Sequence, residues 1–140
     1  MKYPKSAYIK TRGIVFFARM LDKMRMDLAG ELADECQEKM RTPLCYNSRC
    51  LRFLGVEYDD LFALVQEGKS DDDIIDWCFA NGRRPNDEEI EVWNQFMEKK
   101  GWRDEESEQL EDYKAESGLS DRGDIVTFFH YYDVDEKREP

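Results

Sequence analysis

The sequence predicts an all-α fold, a single compact domain of about six or seven short helices packed around a long first one. Three observations lead there. Residues 13–30 carry a clean helical period, start and stop signals recur at helix-length intervals, and the one β-prone stretch, 124–133, has no convincing strand to pair with. At 100° per residue Ile14, Phe17, Leu21, Met24 and Leu28 fall within about 80° of one another, an apolar stripe that other elements must cover. Arg19, Asp22 and Lys23 fall on the opposite side of that helix, with Arg25 on its border.

The remaining elements follow in order. Residues 1–12 are polar, contain Pro4 and read as an extended arm that Tyr3, Tyr8 and Ile9 pin to the surface. Glu31 to Met40 has helical composition and a thin apolar stripe, and Pro43 stops it. Ser48 is placed to cap a short helix through Leu54, with Gly55 where a left-handed terminating residue is wanted. Asp59 to Glu67 presents Leu61, Leu64 and Val65 on one side and ends at Gly68. Ser70 followed by three aspartates is a strong helix start, since the carboxylates meet the positive end of the helix dipole.

Ile74, Ile75, Cys78 and Phe79 form the buried side of that helix, and Asn81-Gly82 ends it. Asn86 with Glu89 repeats the capping logic ahead of a wide stripe of Ile90, Val92, Trp93, Phe96 and Met97, stopped at Gly101. Residues 104–117 are helix formers with few apolar side chains and belong outside. Residues 124–133 favour strand by propensity, yet Ile125, Phe128, Phe129 and Tyr132 keep helical spacing, so helix is the better assignment. The whole is one domain, residues 1–140, with the arm at 1–12 and a charged, frayed tail at 133–140.

Leu, Ile, Val and Phe supply only 30 of 140 residues, close to the composition at which highly charged chains stay disordered. Three Trp, seven Tyr and six Met move the balance to a folded chain with an aromatic and Met-rich core. The formal charge of −11 excludes nucleic acid and an anionic membrane surface as general partners. That charge is uneven: residues 1–52 carry net +5 and residues 53–140 net −16, so the halves neutralise each other where the fold joins them.

Cys36, Cys45, Cys50 and Cys78 match neither a paired zinc spacing nor a dense disulfide framework and read as reduced, buried thiols of a cytosolic protein. A zinc set of Cys36, Cys45, Cys50 and His130 is the minor alternative. No signal peptide or membrane span fits the sequence, because the apolar run at Ile14 to Ala18 is interrupted by Arg19. Asp133, Asp135 and Glu136 look like the start of a calcium loop but lack its glycine and its distal glutamate.

Several strings taken together carry a family resemblance. They are Gly13-Ile14-Val15-Phe16, Ala18 to Arg25, Ser48-Arg49-Cys50-Leu51-Arg52-Phe53-Leu54-Gly55-Val56, and Trp93-Asn94-Gln95-Phe96-Met97. Lys100 to Glu105, Asp124 to Phe129 and Asp133 to Glu136 complete the set. With these the chain resembles, over nearly its whole length, the bacterial domain-of-unknown-function family 5069, a resemblance that implies no activity. It departs from the family's usual pattern at Asn47, where an Asp is common, and at Lys137, where a Gly is common.

The functional reading is a small, acidic, cytosolic, non-enzymatic binding or interaction module, with a protein partner and a possible homo-oligomer through an aromatic surface. The alternative is an enzyme or sensor that takes a small anion, phosphate or carboxylate, on Arg19, Lys23, Arg25 and Arg49, since clustered guanidinium groups bind such anions through paired contacts. The competing explanation of those four is a salt-bridged face. His130 sits between Phe129 and Tyr131 and reads as a packed or surface histidine, and Trp77, Trp93 and Trp102 read as packing residues. No nucleophile motif, phosphate loop, metal set or cofactor site is expected. Convergence of the basic groups on one pocket would favour the anion reading; pairing with acids of residues 53–140 would favour the module.

Overall fold

The computed structural model of the protein describes residues 3–32 and 45–139. Within them the chain forms a short hairpin, β1 (Lys10–Thr11) and β2 (Ile14–Val15), and then seven helices. These are α1 (Phe17–Leu28), α2 (Tyr46–Leu54), α3 (Tyr58–Gln66), α4 (Asp71–Asn81), α5 (Asp87–Lys99), α6 (Ser107–Glu116) and α7 (Phe128–Asp135). The helix expected from Glu31 to Met40 lies, from residue 33 on, outside the described residues.

The hairpin corrects the start of the first helix. Lys10 pairs with Val15 and Thr11 with Ile14, across a turn in which Arg12 and Gly13 both take positive φ, the geometry that suits a two-residue hairpin loop. Phe16 is also left-handed, at φ 74°, so α1 begins only at Phe17. α5 holds the strands in place. Asn94 accepts from the Val15 N–H at 3.1 Å and donates to the Gly13 carbonyl at 2.8 Å, while the Trp93 indole donates to the Val15 carbonyl at 3.1 Å. A helix through residues 13–16 would leave those α5 groups without these bonds. Ile14 is buried as expected, but in the strand, and Leu28 at the far end of the stripe is exposed.

The capping chemistry operates much as the sequence implies. The Ser70 hydroxyl accepts from the Asp73 N–H, and Asn86 with Glu89 forms a reciprocal capping box. α2 differs: it starts three residues early, and its cap is the Cys45 sulfur, which accepts from the Ser48 N–H. Gly55 ends α2 at φ 68°. Thr127 caps α7, so the β-prone stretch is helical from Phe128, and Ile125 is buried just ahead of it.

The core lies between α1 and the other helices. Phe16, Phe17, Met20, Leu21 and Met24 are inaccessible to solvent or nearly so, and so are Ile74, Ile75, Met97 and Phe129 on the covering helices. Phe16 stacks on Phe129 at 6.1 Å and meets Tyr46 edge-on at 5.7 Å, the offset and perpendicular geometries that aromatic rings prefer. The arm is pinned by Tyr8, whose ring meets Phe129 edge-on. α7 runs through Asp135 with Asp133 and Val134 buried, so the first three residues of the expected tail are helical and packed.

Candidate functional site

Four basic residues are the sequence-level candidates, and the fold sends them to different places. Arg19 is the clearest correction, since it is only 5% exposed instead of facing water. Its two terminal nitrogens donate to both oxygens of Glu136, at 2.9 and 2.6 Å, and one of them also reaches the Lys5 carbonyl at 3.2 Å. The guanidinium lies 4.5 Å over the Tyr132 ring. Burial alone would raise the Glu136 carboxyl, but Arg19 and Arg138 outweigh it and hold the group below the usual glutamate value.

Arg25 turns to the start of α4, donating to Asp71 at 2.6 Å and to Asp22 at 2.9 Å, with the Lys5 ammonium 3.3 Å from each of those acids. Lys23 lies 5.8 Å from the centroid of Phe16. Arg49, on α2, lies over the Phe96 ring with one nitrogen 3.9 Å from Glu106. Arg19 therefore closes on the end of α7, Arg25 on α4, and Arg49 on the start of α6. They do not form one pocket.

What the fold does assemble is an open groove of about 510 Å³ between α2 and α5. Arg49, Arg52 and Arg83 line it together with Phe53, Trp93 and Phe96. Phe53 and Trp93 stack almost parallel at 4.6 Å, and the Trp93 indole bond to Val15 fixes that pair against the hairpin. Val92 and Phe96, expected to be covered, are 64% and 44% exposed and form its apolar rim.

Arg83 is brought to the groove by backbone contact. A Cβ at Gly82 would stand 2.2 Å from the Leu54 carbonyl, so only glycine lets the end of α4 touch the end of α2. The Arg83 N–H then donates to that carbonyl at 2.9 Å, and its side chain donates to Phe53 O, pairs with Glu89 and lies 5.6 Å over the Phe53 ring. Arg52 is exposed and pairs with no acid among the described residues.

At its inner end the groove meets a second charged cluster. The Lys100 ammonium is 5.1 Å from the Phe96 centroid, 2.5 Å from a Glu106 oxygen and 3.7 Å from Asp104. Asp104 lies below the usual aspartate range: burial opposes this, but the Gly101 and Glu106 N–H groups and Lys100 stabilise its charge. Tyr46 lies nearby; burial raises its phenol far above the ordinary value, and the charges of Glu106 and Asp104 add to that. Its hydroxyl is buried with no hydrogen-bond partner among the described residues. Asn47, the next residue, is 2% exposed, and among the described residues neither its amide oxygen nor its amide nitrogen has a partner.

Sequence reasoning missed Arg52, Arg83, Phe53 and Phe96 as a unit. A signal was there: Arg49, Arg52 and Phe53 stand at i, i+3 and i+4 on one helix face, and the apolar stripe of α5 is wider than one buried edge requires. Trp102, expected to pack, is half exposed, whereas Trp93 is buried. His130 Nε2 lies 2.7 Å from Glu139, in keeping with a surface-packed role. Cys50 and Cys78 are fully buried free thiols, and burial pushes Cys78 up to about 12. Among the described residues no cluster of three His, Cys, Asp or Glu is arranged to hold a metal, and no helix is long and apolar enough to cross a membrane. Cys36 lies outside the described residues.

The family model for a domain of unknown function, DUF5069, matches residues 1–138. The chain belongs to that family. A comparison with curated proteins found no match. In this DUF5069 domain the match spans the groove, its inner charged cluster and the Arg19–Glu136 pair alike.

Proposed function

We propose that the protein is a non-enzymatic binding module that docks an acidic segment of a protein partner in the α2–α5 groove. The observation that carries this reading is the meeting of Arg49, Arg52 and Arg83 with Phe53, Trp93 and Phe96 in one open groove, on a chain whose net charge is −11. Arg52 is exposed and pairs with no acid among the described residues, so its guanidinium can meet an incoming carboxylate, while Arg49 and Arg83 lie over Phe96 and Phe53. The exposed apolar rim supplies area for a hydrophobic residue of the same partner. Of the groove's two acids, Glu89 is engaged by Arg83 and by the Asn86 N–H.

An enzyme or sensor that takes a small anion on α1 has weaker footing, because Arg19 and Arg25 already hold carboxylates. The buried, protonated thiols of Cys50 and Cys78 support a reducing, cytosolic location. The test is fluorescence anisotropy with a labelled five-residue peptide, two acids on each side of a phenylalanine. The wild-type protein binds it, with an affinity that falls as salt rises, and Arg52→Ala weakens binding about tenfold. Equal affinity in the two proteins, or no binding to either, rejects the reading.

A further inference from the structure

Arg49 and Phe96 of the groove wall adjoin a carboxylate that comes from the protein itself. Glu106 sits just ahead of α6 with one oxygen 2.5 Å from the Lys100 ammonium and 3.9 Å from the Arg49 guanidinium, and both cations lie over the Phe96 ring. We propose that this is a carboxylate subsite beside the groove, occupied by Glu106 in the free protein, and that an acidic side chain of the docked segment displaces Glu106 and takes Arg49 and Lys100. The inference rests on the docking reading above and adds how its innermost contact is regulated.

Two features support it. First, the side chain of Glu106 does no work for its own helix: α6 has no side-chain cap there. The turn before α6 is held instead by Asp104, which accepts from the Gly101 and Glu106 N–H groups at 2.8 and 2.9 Å, and by Ser107, whose hydroxyl accepts from the Asp104 N–H. Glu106 can swing out without unwinding α6. Second, its hold is uneven, tight on Lys100 and long on Arg49, and the Glu106 oxygen that faces them is buried without a well-formed hydrogen bond. A carboxylate arriving along the groove meets Arg49 at the groove wall.

The test uses the same labelled peptide on the full chain. Glu106→Gln removes the competing charge at nearly constant size and tightens binding about tenfold. Glu106→Asp, which draws the carboxylate back by one methylene, tightens it severalfold. Glu108→Gln, an exposed acid on the same helix, changes it less than about twofold, because surface charge is screened. Glu106→Gln binding no tighter than Glu108→Gln overturns the displacement, and should the Gln variant fail to fold, Glu106→Asp decides in the same way. If binding to the wild type still depends on Arg52 while Glu106→Gln is unchanged, docking stands and displacement falls. If no form binds the peptide, the docking reading itself fails. Glutarate that competes at the peptide's own concentration overturns the assignment to a peptide segment.

Discussion

Two arginines of the basic N-terminal half show how differently this fold uses the same side chain. Arg19 is buried, held by both oxygens of Glu136, backed by Tyr132 and bonded to the Lys5 carbonyl, so that arm, first helix and C-terminal segment are joined at one guanidinium. Arg52 is exposed on the groove and has no acid partner among the described residues. A buried charge has to be neutralised by a close counter-charge because leaving it unmatched is expensive, whereas an exposed charge is tolerated unmatched and stays available to a second molecule. The first arrangement closes the fold; the second leaves chemistry at the surface.

Breaking the closed site has the largest expected effect. Arg19→Met strands Glu136 beside Arg138 and lowers stability by about 3–5 kcal/mol in urea unfolding. The same pair governs acid sensitivity. Glu136 is held below the usual glutamate value of 4.5, so its contribution is complete above that value and fades as pH falls through its lower folded value. Thermal melts from pH 6 to pH 3 therefore show the wild type losing stability below about 4.5, and Arg19→Met showing a shallower dependence. A parallel decline in both proteins contradicts this role for the pair.

A smaller effect separates the two faces of α2, which carries Arg49 and Arg52 toward the groove and Asn47 inward. Asn47→Leu removes a buried amide with no partner among the described residues and raises stability by about 1–2 kcal/mol, read as a higher Tm. A loss of stability instead identifies an ordered water or other group on that amide. The smallest effect sharpens the contrast from the other side: Arg52→Ala changes stability by less than about 0.5 kcal/mol while it weakens peptide binding. A large stability loss would make Arg52 a structural residue and remove it from the docking reading.

Much of the helical plan is legible along the chain. Ser70 with Asp73, Asn86 with Glu89, and Gly55 after α2 are signals read within three or four residues, and each operates where the sequence puts it. The hairpin is the instructive failure. Gly13, Ile14 and Val15 continue the helical period of α1, but the partners that hold them in a strand are Trp93 and Asn94, almost eighty residues away. The Arg12-Gly13 turn and two adjacent β-branched residues were the local warning. The basic face was legible only as a set of charges. Which acid each cation meets, and that Arg19 is buried, depends on pairings as distant as 117 residues.

By itself, then, the sequence determined the helices, most of their caps, the aromatic and Met-rich core and the opposition of a basic to an acidic half, because those properties arise from neighbouring residues or from totals. The tertiary structure alone decided which cations are neutralised inside the molecule and which remain at its surface. That choice follows from burial and from the direction of side chains brought together by packing, and neither is encoded at any one position of the chain.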